Sequence, residues 1–396
     1  MSFSLNPQIN PNPLLQTKFA NTIRYSLMNL FIVFGIWTMG TGGWVMWLGL
    51  LLTFVLIGYV EELMGDAGDK ESMPPVWYMN LMLWLTLPLL AFATLTCLNT
   101  AGEGKDWMDA ILRFLGFDPE AARERTDFFV ASGGLASLGM YYGLGGVNVA
   151  HELVHRLDSK FNMIVGRWLL AFTWDTGFSL EHVYGHHRNV GTEADPATAK
   201  RGEYIWAFVP RSIVGQFFAA LKIDRDRMAR KGIKNRFYNS VFWRGQAMTL
   251  VVIAVYTYMM GPFGILISLY SGAIGKVYLE IVNYIEHYGL VRIPGTRVEP
   301  RHSWDSYRRL STGMTYNLPL HSFHHRFATR PFWELQHSEG EAPVLPRGYM
   351  PMILTSFFPG PWKKLSEPLL RDWDERLASP DEVAYLKSIG EYRGRQ

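Results

Sequence analysis

The chain has 396 residues, 48% of them hydrophobic and 14% aromatic, with 14 tryptophans and a formal net charge of +3. A single cysteine, Cys97, excludes an intramolecular disulfide and any four-cysteine iron–sulfur or rubredoxin-like centre within the chain. The weak net charge does not suggest nucleic-acid binding. The aromatic share suits a membrane protein with interfacial belts, while a mean hydropathy of +0.02 leaves a large part of the chain to lie in water.

Residues 1–24 form a polar, Asn- and Pro-containing tail ending in Lys18 and Arg24, and predict no cleavable signal sequence. Residues 25–39 are apolar, Gly40-Thr41-Gly42-Gly43 is a turn, and 44–60 is a second apolar run near the lower length limit for a spanning helix. An acidic loop closes at Pro74-Pro75, and 76–98 is a third run without a charge. Residues 99–127 are mixed, with a short interfacial helix expected over 107–115. A fourth run, 128–149, is rich in Gly and Ala, which suits close helix contacts.

From residue 150 the character changes. Residues 150–245 carry many Lys and Arg; 161–178 is apolar but interrupted by Arg167 and Asp175, and is expected to be buried or interfacial. An amphipathic stretch over 205–221 precedes a strongly basic helix over 222–236. Residues 248–260 and 265–285, around Gly261-Pro262, predict a transmembrane hairpin, and 287–396 is polar. The expected organisation is a tail (1–24), four spans with loops (25–149), a histidine-rich interfacial region (150–245), a hairpin (246–286) and a polar C-terminal region (287–396). Six spans put 150–245 and 287–396 on one side, and their Lys and Arg content makes that side cytoplasmic. The expected fold is an all-α integral membrane protein with a cytoplasmic helical cap.

Nine of the 11 histidines gather in clusters on that side. His151-Glu152-Leu153-Val154-His155 follows the fourth span and puts both rings on one helix face. Glu181-His182-Val183-Tyr184-Gly185-His186-His187 contains three; His182 and His186, four apart, are expected to share a face, with His187 pointing elsewhere. His321-Ser322-Phe323-His324-His325 contains three more, and His287 ends the sixth span. That is too many imidazoles for one metal and suits two, with four or five nitrogens each. His302 and His337 stand alone and are expected to be ordinary hydrogen-bonding residues.

His151-Glu-x-x-His155 is also a zinc metalloprotease signature, which needs only one further ligand and leaves six clustered histidines unexplained. A metal transporter would need ionisable groups spread along a path through the membrane, whereas these gather at one edge. A histidine-rich pair of iron sites suits oxygen activation and hydroxylation of an unactivated C–H bond, with the protein supplying position and dryness.

These residues resemble the membrane-bound non-haem diiron alkane 1-monooxygenases, within the wider group of histidine-rich fatty acid desaturases and hydroxylases. His151-Glu-Leu-Val-His155-Arg156 is similar to the first box and Glu181-His-x-x-Gly-His-His187 to the second, followed by Thr192 and Asp195-Pro196-Ala197. Asn283-Tyr-x-Glu-His-Tyr-Gly-Leu290 resembles the motif that separates the hydroxylases from the desaturases, and Arg301-His-Ser-Trp304 is also similar. The third box, Asn317-Leu318-Pro319-Leu320-His321-Ser322-Phe323-His324-His325, carries Pro319 and Leu320 where the alkane enzymes usually have Gln and Arg. Leu370-Arg371-Asp372-Trp373-Asp374 resembles the related xylene methyl-hydroxylases.

The resemblance implies His151, His155, His182, His186, His187, His287, His321, His324 and His325 as ligands of two iron ions, with O2 as co-substrate. It makes Glu152, Glu181, Asp195 and Glu286 candidates for holding imidazole N–H groups, against the alternative of ion pairs with nearby Arg. It implies terminal hydroxylation of a medium-chain alkane, with the methyl group of an alkyl-aromatic as the alternative, and a multi-pass protein of a bacterial inner membrane. Trp47 and Phe54 are candidate pocket residues. Electrons must come from a rubredoxin or a ferredoxin-type donor with its reductase. The basic stretch 222–236 could receive that acidic partner or contact anionic lipid headgroups.

Overall fold

Helix α1 (Lys18–Thr41) starts where the Thr17 hydroxyl accepts the Ala20 amide at 3.2 Å, and stops at Gly42, whose φ is +68°. In this computed structural model, which describes residues 12–69 and 71–394, all regular elements are helical and only isolated β-bridges occur besides them. Of the tail expected over residues 1–24, residues 1–11 lie outside the described residues, while 18–24 are not tail but the first turns of α1, with Asn21 and Arg24 buried.

After α1, α2 (Leu48–Leu52) passes through a π turn (Thr53–Ile57) into α3 (Gly58–Met64). α4 (Val76–Ala101) follows, then the short α5 (Asp106–Phe114), close to the interfacial helix expected at 107–115, and α6 (Pro119–Glu124). α7 (Phe128–Tyr141) continues through a second π turn (Tyr142–Val147) into α8 (Asn148–Val154), and α9 (Lys160–Ala171) packs back on α8. α10 (Phe178–Glu181) continues through a third π turn (His182–His186) into α11 (His187–Asn189). α12 (Ile205–Arg230), α13 (Val241–Met260) and α14 (Gly264–His287) follow. The C-terminal region holds α15 (Arg309–Met314), α16 (His321–Arg326), α17 (Tyr349–Ser356), α18 (Pro359–Arg376) and α19 (Pro380–Ser388).

Among the described residues, three stretches are long and apolar enough to cross a membrane: Lys18–Thr41, Val76–Ala101 and Val241–His287. The pair Gly43–Val55 and Gly58–Met64, bent by 44°, makes a fourth. The last of the three is 47 residues long and breaks at Gly261 (φ +66°), so α13 and α14 lie side by side as the expected hairpin. The run expected over 128–149 is helical throughout, but the π turn interrupts it before a regular helix reaches spanning length. The stretches 205–221 and 222–236 are a single helix to Arg230, after which Lys231 and Gly232 end it.

The helices meet on small residues. A Cβ on Gly139 of α7 would lie 2.6 Å from the Ser271 carbonyl of α14, so any side chain there would separate them. Away from this core, Leu30, Val33 and Trp37 of α1, Leu250 and Val251 of α13 and Leu266 of α14 are exposed. A belt of large apolar side chains on spanning-length helices is a surface suited to lipid.

Ion pairs fasten the C-terminal region to the bundle. Glu71 receives both Arg24 of α1, at 2.6 Å, and Arg309 of α15, and Arg24 also reaches the Thr312 hydroxyl. All three charged side chains are buried, so removing one would leave an uncompensated charge.

Candidate metal centre

Four helix ends converge at one place. α8 brings His151 and, at its C-cap, His155; a Cβ on Gly166 would lie 3.0 Å from Val154 Cγ1, so the glycine admits α9 close behind this helix. The third π turn brings His182, His186 and His187. α14 ends on His287, and the chain leaves through Gly289, whose amide bonds the Ala199 carbonyl at 2.9 Å. The Arg292 guanidinium then donates to the Val190 and Arg188 carbonyls at 2.8 and 2.7 Å, clamping the end of α14 to the end of the second box.

α16 brings His321, His324 and His325. Asp305 fixes its start by accepting the Ser322 amide and hydroxyl, each at 2.7 Å, and Asn317, left-handed at φ +57°, anchors the preceding turn to the Phe332 carbonyl at 2.9 Å. Pro319 accepts the Ser306 amide and Leu320 is buried, so the departure from the family's usual third box lies in packing beside the ligand helix.

The nine histidines divide into two groups. His151, His155, His182, His187 and His324 form one; His186, His287, His321 and His325 form the other. Within each group the candidate ligand atoms lie within 4.8 Å of one another. The groups adjoin, with the His187 and His325 rings stacked at 4.3 Å. His182 and His186 do share a face, as expected, with their rings stacked at 5.1 Å, yet they fall in different groups. A π turn closes i→i+5 rather than i→i+4, which brings residues five apart to one side. His182 Nε2 accordingly faces His187 Nε2 at 3.1 Å.

The nitrogens are spaced so that each group could hold a metal ion, and not as pairs of hydrogen-bonding partners. His187 Nε2 is 3.1 Å from both His182 Nε2 and His324 Nε2, and His321 Nε2 is 3.1 Å from His287 Nε2 and 3.0 Å from His325 Nε2. A neutral imidazole carries one N–H, so no tautomer satisfies all these contacts. Nε2 of His151, His155 and His186 is buried without a hydrogen-bond partner among the described residues. Two nitrogens bound at right angles to one metal at about 2.1 Å are about 3.0 Å apart, which is the spacing seen. Burial and then the neighbouring imidazoles hold His182, His187, His324 and His325 well below the ordinary histidine range, so each is neutral and its lone pair is available.

The four carboxylates differ. Asp195 accepts from His186 Nδ1 at 2.9 Å and from the Thr198 hydroxyl at 2.6 Å, the arrangement that fixes a metal-bound imidazole. Glu152 is taken by Arg156 at 2.8 Å, the ion-pair alternative. A general base of a zinc protease must face the metal-bound water, and a carboxylate held by Arg156 does not. Glu181 is buried with Oε1 unpartnered, and Glu286 lies against His321 and Tyr349. His302 bonds Glu382 at 2.8 Å and the Glu299 amide, and His337 stacks on Tyr307, both apart from the centre. Sequence reasoning missed Asp305 and Tyr349. Asp305 directly follows the Arg301-His-Ser-Trp304 similarity, whereas nothing around Tyr349 marks it.

An apolar cavity of about 590 Å³ lies between α2, α7, α14 and α17, lined by Phe54, Met140, Leu266, Val277, Ile281 and Ile353 among others. Phe54 lines it; Trp47 does not, because its indole packs on Phe129 at 5.1 Å and covers Gly133. A second cleft of about 940 Å³ is lined by Arg188, Lys200, Arg201 and Arg292 together with Glu193 and Glu391, with Asp195 in its wall.

Comparison with known proteins agrees with this geometry. The fatty acid desaturase family model matches residues 127–356. The chain is 30% identical to alkane 1-monooxygenase 2 of Pseudomonas aeruginosa over 85% of its own length and 87% of that protein. It is 30% identical to an alkane 1-monooxygenase of Ectopseudomonas oleovorans over 90% and 88% of the two chains. The hydroxylase component of a xylene/toluene monooxygenase from Pseudomonas putida is 28% identical over 91% and 92%. With both histidine groups inside the matched region, this chain belongs to the alkane 1-monooxygenases of the fatty acid desaturase family.

Proposed function

We propose that this protein hydroxylates the terminal methyl group of medium-chain alkanes to primary alcohols, using O2, two external electrons and two protons and releasing one water. The observation that carries the reading is the adjacency of two imidazole groups at metal-binding spacing to an apolar cavity running along α14. The cavity follows that helix from Leu266 to Ile281, about 22 Å at 1.5 Å per residue, and Ile281 is about 9 Å along the axis from His287. An apolar space that follows a helix over this length suits an extended chain, which favours an alkane over an alkyl-aromatic.

The nine histidines are the proposed ligands of two iron ions, and bound iron supplies the activation of O2 and the oxidation of the C–H bond. The chain does the rest. The cavity side chains desolvate and align the hydrocarbon so that its end approaches the end of α14. Asp195 fixes the His186 tautomer, and Asp305 seats α16 so that His321, His324 and His325 arrive in register. Burial of the histidines keeps bulk water from the reacting carbon.

Six crossings of a bacterial inner membrane, with the histidine region on the cytoplasmic side, fit the helix order and the Lys and Arg of that region. A rubredoxin or ferredoxin-type donor is the proposed electron source. The cleft whose wall contains Asp195 is the proposed docking place, since Asp195 is bonded to His186 and Arg188 and Lys200 lie in the same lining. The basic end of α12 is better suited to lipid headgroups, because Phe217, Phe218, Phe237 and Tyr238 are exposed around it.

The test is product analysis from cells expressing the chain with rubredoxin and its reductase, fed octane and p-xylene together under 18O2. Labelled 1-octanol as the main product is the expected result. Labelled methylbenzyl alcohol as the main product would move the chain to the xylene-type hydroxylases, and no labelled alcohol would defeat the reading.

A further inference from the structure

We propose that Glu286 is itself a metal ligand, so that one site has four imidazole nitrogens and a carboxylate oxygen where the other has five imidazole nitrogens. The inference rests on the two histidine groups being metal sites.

Glu286 Oε2 lies 3.2 Å from His321 Nε2, the same atom that His287 and His325 approach at 3.1 and 3.0 Å. A carboxylate that merely orients a ligating imidazole sits against the ring nitrogen turned away from the metal. Asp195 does this at His186 Nδ1. Glu286 does not. Among the described residues no carboxylate meets the turned-away Nδ1 atoms of His287, His321 and His325, and Glu286 faces the ligating side instead.

The charge of Glu286 points the same way. The residue is 1% exposed, and among the described residues no Lys or Arg pairs with it. Its one strong donor is neutral, the Tyr349 hydroxyl on Oε1 at 2.6 Å. A metal cation beside His321 would give this buried carboxyl the charged partner that no Lys or Arg provides among the described residues. The backbone holds the group in place, with the Glu286 carbonyl accepting the Trp304 amide at 2.8 Å. Tyr349 occupies one carboxylate oxygen and leaves the other for the metal.

An anionic oxygen donor makes the two metals unlike, because it favours the more highly charged ion at its own site. The test uses the full chain in detergent, loaded with 57Fe, comparing wild type, Glu286→Gln, Glu286→Asp and Tyr349→Phe by metal analysis and Mössbauer spectroscopy. Wild type should hold two irons, one for each group, with two distinguishable signals. Glu286→Gln should lose one iron or hold it about 10- to 100-fold more weakly, with one signal changed and the other intact. Tyr349→Phe should keep both irons, which separates ligation from packing. Two irons with unchanged signals in Glu286→Gln would overturn the proposal while leaving the histidine sites standing. If that variant does not fold, Glu286→Asp decides the matter, because a shortened ligand shifts one signal and a bystander shifts neither. Wild type without iron would defeat the metal reading and this inference with it.

Discussion

The first and second histidine boxes use the same residue type at the same nominal spacing and reach opposite results. On α8, His151 and His155 are four apart and serve one group. In the second box His182 and His186 are also four apart, but they serve different groups, and His182 pairs with His187. The difference is the backbone. α8 is a regular α-helix, whereas residues 182–186 are a π turn, whose wider winding carries residue i+5 where i+4 would otherwise be. The third box follows the α-helical rule again, with His321 and His325 together and His324 in the other group. One π turn thus lets a single short segment serve both groups, with the His182 and His186 rings stacked at 5.1 Å between them.

The largest effects should come from neighbours in sequence. His186→Ala and His187→Ala each remove one ligand, so both should lower turnover by about 100-fold or more. They should act on different metals. His187→Ala empties or weakens the five-histidine site and His186→Ala the four-histidine site, read as loss of different Mössbauer signals. Loss of the same signal in both would mean that His186 and His187 serve one metal and that the division into two groups is wrong. Next come the supporting carboxylates. Asp195→Asn should weaken one metal about 10- to 100-fold through the loosened His186 ring, whereas Glu152→Gln should leave metal content unchanged, since its partner is Arg156. Equal metal loss in both would show that Glu152 reaches the centre.

A smaller effect tests the π turn directly. A Cβ on Gly185 would lie 2.9 Å from Glu181 Oε1 and 3.1 Å from Ile223 Cδ1. Gly185→Ala should therefore cost about 1–3 kcal/mol in thermal unfolding, with weakened binding at both sites because the turn serves both. An unchanged melting temperature and full metal content would show that the turn has room to spare.

Much of the architecture was legible because it follows from local periodicity. Apolar runs marked α1, α4 and the α13–α14 hairpin, and Gly261-Pro262 marked the break. The nine histidines stood out because packing gives no reason for imidazoles at such density. What the sequence hid was of two kinds. Helix type is set by the surroundings, so the π turn at 182–186 carries no residue signature, and the division of ligands could not be read from spacing. Long-range partners were hidden as well: Tyr349 meets Glu286 across 63 residues and Asp305 meets Ser322 across 17, with no motif joining either pair. Trp47 lies outside the expected cavity for a related reason, since an apolar aromatic on a span looks the same whether it faces a cavity or a glycine.

His302 offers the contrast to the clustered histidines, and the smallest expected effect. Its ring is as buried as theirs, yet its partners are complete: Nε2 meets Glu382 at 2.8 Å and Nδ1 accepts the Glu299 amide at 3.0 Å. A satisfied imidazole has no lone pair left for a metal. Burial alone would raise the Glu382 carboxyl, but the His302 hydrogen bond, the Ser379 amide and Arg301 together hold it down at about 2. The sign follows from that depression. The carboxylate stabilises the fold fully above its unfolded value, near 4.3, and the contribution fades as pH falls toward 2. Glu382→Gln should lower the melting temperature at pH 7 by a few degrees, corresponding to about 1–3 kcal/mol, and flatten the acid limb between pH 4 and 2, with iron content unchanged. Iron loss in this variant would mean that the outlying pair is coupled to the centre through the 299–305 segment, which runs from His302 to Asp305 and so to α16.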